Sequence, residues 1–149
     1  MTSIIRETVL KYRGPGRKVS SIMGPADVAH FVARVVDGDP REHLIAVYLD
    51  ARHAPIGYCI VSVGTLNSCL VHPREVFRAA ITCGAFALIV AHNHPSGDPS
   101  PSAEDEALTV RLREAGTLLG IELLDSIVVG DACRWVSLLG HQQKGDERV

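Results

Sequence analysis

The chain has 149 residues, 46% hydrophobic and 21% charged, which excludes a mainly disordered chain and predicts one domain whose core needs no disulfide staples. With 15 basic and 17 acidic residues the net charge is −2, without the basic excess of a dedicated nucleic-acid binder. No apolar run is long enough to span a bilayer, and the first residues lack the basic-then-apolar order of a signal peptide, so a cytoplasmic protein with no membrane partner is expected.

Residues 1–24 read as a basic, irregular arm, broken by Gly14-Pro15-Gly16. Arg6, Lys11, Arg13, Arg17 and Lys18 against Glu7 make its first 18 residues net positive, so a weak DNA phosphate contact is the one nucleic-acid role left open. The domain proper is expected over 25–140. A helix should follow Gly24, with Pro25 in its first turn and Val28, Phe31, Val32, Val35 and Val36 on one buried face. Residues 43–50 are apolar on both parities, as in a strand covered on both sides. A turn at 52–55 and a strand at 57–63 complete a hairpin. His72-Pro73-Arg74-Glu75 opens a second helix, with Val76, Ala80 and Cys83 on one face and Gly84 at its end.

Residues 86–91 form the most strand-like run. A stiff loop with Pro95, Pro99 and Pro101 follows, then a helix from Ser102 to Leu119 with a stripe of Leu108, Leu112, Ala115 and Leu119, stopped by Gly120. Residues 121–124, 126–129 and 133–138 read as strand material, with Trp135 in the core, and 141–149 as a polar tail. The order α, β, β, α, β, α, β, β predicts an α/β fold in which helices flank a mixed sheet. Cys59, Cys69, Cys83 and Cys133 have no C-x-x-C spacing and sit in apolar surroundings, so small buried thiols are expected. No nucleotide-binding glycine motif is present.

The chemistry is concentrated in Ala91-His92-Asn93-His94-Pro95-Ser96-Gly97-Asp98-Pro99-Ser100-Pro101-Ser102-Ala103-Glu104-Asp105. Side chains two apart leave one face of a strand, so His92 and His94 can lean over one point at the sheet end. Asp105 then falls in the first turn of the next helix. Two imidazoles and one carboxylate leave a coordination position open, as in a catalytic zinc site. Ser102-x-x-Asp105 also matches a capping pair, and the two roles are compatible at a helix start, where the dipole favours an ionised carboxylate. A zincin H-E-x-x-H is absent, as is the deaminase H-x-E with P-C-x-x-C.

The spacing His92-x-His94-x7-Ser102-x2-Asp105 resembles the metal motif of the JAB/MPN (JAMM) metalloproteases. His-Asn-His-Pro-Ser-Gly-Asp-Pro, with Pro73-Arg74-Glu75 before it and Ile127-Val128-Val129-Gly130 after it, resembles the RadC branch, over roughly Glu42 to Leu138. The resemblance implies a curved mixed sheet flanked by helices, similar to the cytidine deaminase scaffold. It also implies zinc-dependent hydrolysis of peptide or isopeptide bonds in a peptide or protein substrate, including a ubiquitin-like conjugate. One Zn2+ would be held by His92, His94 and Asp105, with Glu42 as acid/base and Ser102 supporting the water or the oxyanion. The alternative is a non-hydrolytic zinc-bearing accessory module of DNA repair or mobile elements. The chain departs from the RadC pattern at Asp125-Ser126, where Asp-His is common, and has only about 24 residues where longer members carry a DNA-binding-like helical region.

Overall fold

The computed structural model describes residues 11–12, 16, 19, 21–64 and 71–140. Most of the basic arm, the tail and Cys69 therefore lie outside the described residues. The elements are α1 (Pro25–Val35), β1 (His43–Leu49), β2 (Pro55–Val63), α2 (Pro73–Thr82), β3 (Ala87–Asn93), α3 (Ala103–Leu119), β4 (Glu122–Val129) and β5 (Trp135–Ser137). They form one five-stranded sheet in the order β2-β1-β3-β4-β5. Only β3 and β4 run parallel, and α3 is the crossover that a parallel pair requires. The expected fold class and element order are both observed.

The double-parity apolar runs have their reason in the layers. On one face Ile45, Val47, Leu49, Ile89, Ala91, Ile127 and Val129 meet Val28, Ala29, Phe31 and Val32 of α1. On the other, Leu44, Ala46, Tyr48, Leu88, Val90 and Leu123 meet Val76, Phe77 and Ala80 of α2 and Leu108 and Leu112 of α3. Every residue of β1 and β3 is buried. Tyr48 is buried with its hydroxyl donating to the Val76 carbonyl at 2.8 Å, which ties β1 to α2.

The structure corrects several local expectations. Phe86 is 51% exposed and precedes β3, which instead runs on to Asn93 and carries His92 with it. Residues 122–129 are one strand rather than two. A register irregularity between Leu88 and Ile89 skips Leu124, and the Asp125 carboxylate is accepted inside the strand because donors surround it. Oδ1 takes the amides of Ser126 (2.7 Å) and Leu139 (3.1 Å), and Ser137 Oγ donates to Oδ2 at 2.7 Å. The last strand contracts to Trp135–Ser137, with Trp135 packed against the α1-side core.

On α3 the buried face is Asp105, Leu108, Thr109, Leu112 and Gly116, and Leu119 is 46% exposed. The Ile121 carbonyl crosses the helix at Gly116 so closely that no Cβ would fit, and the last turn lies beyond that crossing. Cys59 and Cys83 are half-buried, but Cys133 is exposed because its turn is held by Asp131 Oδ1, which accepts its amide. Among the described residues no helix is long and apolar enough to cross a membrane.

Candidate metal centre

The carboxyl end of β3 delivers both histidines. Its pairing with β1 ends at Leu44 opposite His92, and its pairing with β4 ends at Asn93 opposite Val129. His92 is buried; His94 stands just past the strand, anchored by its amide on the Val129 carbonyl at 2.8 Å. The two Nε2 atoms lie 3.1 Å apart. Asp105 Oδ1 is 3.1 Å from His92 Nε2, and Oδ2 is 3.4 Å from His94 Nε2. Glu42 Oε1 is 3.8 Å from His94 Nε2. Glu42, His92 and His94 each offer a ligand atom, all within 4.8 Å of one another, so this group could hold a metal ion.

The donor set fits a tetrahedral ion. Bonds of about 2.0–2.1 Å to nitrogen and oxygen place neighbouring ligand atoms roughly 3.3 Å apart. The His92–His94 Nε2 spacing of 3.1 Å matches that edge, and Asp105 turns a different oxygen toward each imidazole, Oδ1 at 3.1 Å from His92 and Oδ2 at 3.4 Å from His94. The ring of His94 is also in the right tautomer. Its Nδ1 is 2.8 Å from the Asp98 carbonyl oxygen, which can only accept, so Nδ1 carries a proton and Nε2 is the ring atom left to meet an ion. A carbonyl partner behind a ligating imidazole is the usual means of orienting it.

Asp105 is held from its own helix. Ser102 caps α3: its Oγ accepts the Asp105 amide at 3.1 Å, and Asp105 Oδ2 accepts the Ser102 amide at 2.8 Å. Burial pushes the Asp105 carboxyl up, but hydrogen bonding and charge from His92, with the Ser102 hydrogen bonds, outweigh it and hold the group well below the usual carboxylate range. Capping and convergence on the histidines thus occur in the same side chain. A second tie comes from β4. Thr109 Oγ1 is 2.8 Å from both the Asp105 carbonyl and Ser126 Oγ. With one proton to give, and a carbonyl that only accepts, Thr109 donates to Asp105 and receives from Ser126. Ser126, the departure from the RadC wording, thus braces the first turn of α3.

The 94–99 loop is seated against the end of β4. Gly97, at φ +84°, receives its turn by donating its amide to the His94 carbonyl at 2.9 Å. Gly130 faces it with no room for a side chain: a Cβ there would press on the Gly97 carbonyl oxygen, 2.9 Å from Gly97 C and 3.1 Å from Pro99 Cδ.

A family model described as the RadC-like JAB domain matches residues 22–145. This chain belongs to that family. A UPF0758 protein of Shouchella clausii is 49% identical to the RadC-like domain over 112 residues, 75% of this chain and 49% of its own length. Another, from Desulfitobacterium hafniense, is 48% identical over 117 residues, 78% of this chain and 51% of its own. A third, from Methanosarcina mazei, is 46% identical over 124 residues, 83% and 52%. The chain spans about half the length of the curated relatives it matches.

Within this RadC-like domain the structure brings His92, His94, Asp105, Ser102 and Glu42 to one end of the sheet. Glu42 lies one residue before β1, an interior strand between β2 and β3. Sequence reasoning missed the Asp98 carbonyl, the Thr109–Ser126 brace, the close approach at Gly130, and Asn93. Gly130 had a readable signal, a glycine directly after an apolar strand, which often marks a close backbone approach. Asn93 and the Thr109–Ser126 brace depend on tertiary pairing, and the Asp98 carbonyl, only four residues from His94, is a backbone acceptor that no residue type marks.

Proposed function

We propose that this domain is a zinc-dependent hydrolase of peptide or isopeptide bonds. The supporting observation is the convergence of His92 and His94 Nε2, 3.1 Å apart, on the Asp105 carboxylate, whose Oδ1 is 3.1 Å from the first and Oδ2 3.4 Å from the second, with the Glu42 carboxylate set slightly farther off at 3.8 Å from His94 Nε2. His92, His94 and Asp105 are the ligands in this reading, and two imidazoles with one carboxylate favour zinc over harder ions. Bound zinc supplies Lewis acidity and brings the pKa of a water in its open position down to roughly 7.

The chain's own groups do the rest. Glu42, partly exposed and beside the ligand cluster, takes a proton at Oε1 and returns it to the leaving amine. The Ser102 hydroxyl uses a lone pair on the Asp105 amide and keeps its own proton for the oxygen of the scissile carbonyl as negative charge develops there. Ser102 is exposed, so an extended peptide or the isopeptide tail of a ubiquitin-like conjugate can reach it.

The test loads wild type and Glu42→Gln with zinc and assays both on a panel of fluorogenic peptides and isopeptide-linked conjugates. Wild type turns over at least one member, and Glu42→Gln loses roughly 100-fold or more with unchanged zinc content. Equal activity of the two proteins across the panel would falsify the proposal.

A further inference from the structure

We infer that Asn93, between the two histidines, is a positioning residue for Glu42: its side-chain amide grips the backbone on both flanks of Glu42 and sets where that carboxylate stands. The inference deepens the proposed function and rests on it for the role of Glu42.

The β1–β3 ladder ends at Leu44 opposite His92. One residue farther, Asn93 continues the pairing with its side chain. Its Oδ1 accepts the His43 amide at 2.7 Å, and its Nδ2 donates to the Arg41 carbonyl at 3.0 Å. A primary amide carries the acceptor and donor of a peptide unit, so it can stand in for a strand neighbour. Asn93 and His43 are both buried, which keeps water from competing for these bonds. On the other side, Gly64 donates its amide to the Glu42 carbonyl at 2.8 Å.

Glu42 lies outside β1, yet its backbone is held from the β3 side and the β2 side as if it were within the sheet. The Arg41 carbonyl is fixed further by His43 Nδ1 at 2.9 Å, and His43 Nε2 is 3.3 Å from Asp39 Oδ2. With the main chain clamped, side-chain rotation alone decides where the carboxylate goes.

The residue type follows from the two bonds. Aspartate would keep the acceptor for His43 but turn a lone pair toward the Arg41 carbonyl. Alanine loses both bonds. Misplacing a reacting group by about 1 Å can cost on the order of 100-fold in rate, so a clamp of this kind has catalytic weight without contact to substrate.

The test uses the full chain loaded with Co2+ as wild type, Glu42→Gln, Asn93→Ala, Asn93→Asp and the Asn93→Ala/Glu42→Gln double variant. The readouts are Co2+ affinity by chelator competition and the pH midpoint of the visible spectrum. Asn93→Ala keeps its affinity, because it removes no candidate ligand, and Glu42→Gln keeps it if Glu42 is not a ligand; a large loss of affinity in Glu42→Gln would make Glu42 a ligand and overturn the reading on which this inference rests. Glu42→Gln lowers the midpoint by about one pH unit, because a nearby negative charge no longer favours the protonated solvent. Asn93→Ala shifts it the same way, Asn93→Asp adds a negative charge of its own that opposes the shift, and the Asn93→Ala/Glu42→Gln double variant adds nothing to Glu42→Gln.

A wild-type midpoint in Asn93→Ala beside a shifted Glu42→Gln overturns the role of Asn93 and leaves that of Glu42 standing. Additive shifts in the double variant overturn it too, since Asn93 would then act through something else. An unshifted Glu42→Gln removes the reading of Glu42 and this inference together. Should Asn93→Ala fail to fold by circular dichroism, Asn93→Asp, which keeps one bond, carries the comparison once its own charge is subtracted through the Asn93→Asp/Glu42→Gln double variant.

Discussion

Replacing Gly130 by alanine tests whether the seating of the 94–99 loop controls the ion-binding power of the cluster. The added Cβ would lie 2.9 Å from Gly97 C and 3.1 Å from Pro99 Cδ, and closer still to the Gly97 carbonyl oxygen. Carbon atoms settle at about 3.5–4.0 Å, so the two backbones must part by on the order of 1 Å. The loop is the softer partner, since β4 is paired on both sides and the loop is not. Overpacking of this kind costs about 1–3 kcal/mol. For a chain of this size that lowers Tm by roughly 3–10 °C in the metal-free protein.

The larger effect falls on metal binding. The loop carries His94 and the Asp98 carbonyl that orients it, at 2.8 Å. Metal–ligand distances tolerate about 0.2 Å, well under the forced displacement. Loss of a ring's orienting partner typically lowers affinity about 10–100-fold. Zinc affinity by chelator competition should fall by that range in Gly130→Ala, measured beside the thermal melt of the same protein without metal. An affinity within twofold of wild type, with the melt lowered as stated, would refute the claim that this contact governs the site.

Asp105→Asn can still accept the Ser102 amide and so keeps the cap of α3, but it gives up the charge contact with His92; its metal-free melt should fall modestly while zinc affinity falls more than about 100-fold, beyond the loss from an outer partner. Ser102→Gly costs only a few tenths of a kcal/mol as a cap, against about 1 kcal/mol for Ser102→Ala. Both should retain zinc and lose about 10²–10³ in kcat on any substrate found, and a Ser102→Gly protein with wild-type kcat would remove the hydroxyl from the chemistry. Asp125→Ala strands the amide of Leu139 and the Ser137 hydroxyl, and should lower stability by about 2–4 kcal/mol in urea unfolding with no change in zinc affinity.

The layered core was readable because burial on both faces leaves both parities apolar, as in 43–49 and 87–91. The limits of α3 were readable because Ser102 and Gly120 act locally, the one through its hydroxyl and the other through a left-handed backbone at φ +70°. Phe86 misled because hydrophobicity alone does not say which end of an apolar run leaves the sheet. Asp125 misled for the opposite reason: a carboxylate inside a strand reads as a break until its donors, brought from 137–140, are known. The histidine spacing could be read because strand geometry works over two residues. The nearness of Glu42 to His94 depends on the registration of β1 against β3 across some fifty positions, and no local pattern encodes that.

That separation divides the centre by contour length. The two imidazoles and the aspartate come from a single stretch of fewer than fifteen residues, closed by one rigid loop, so the entropy of bringing them together is small. The glutamate arrives only when a distant hairpin has docked. Fraying at the start of β1 would therefore withdraw the Glu42 carboxylate while leaving His92, His94 and Asp105 together, so that under the proposed function an early folding species would gather metal before it was able to cut anything.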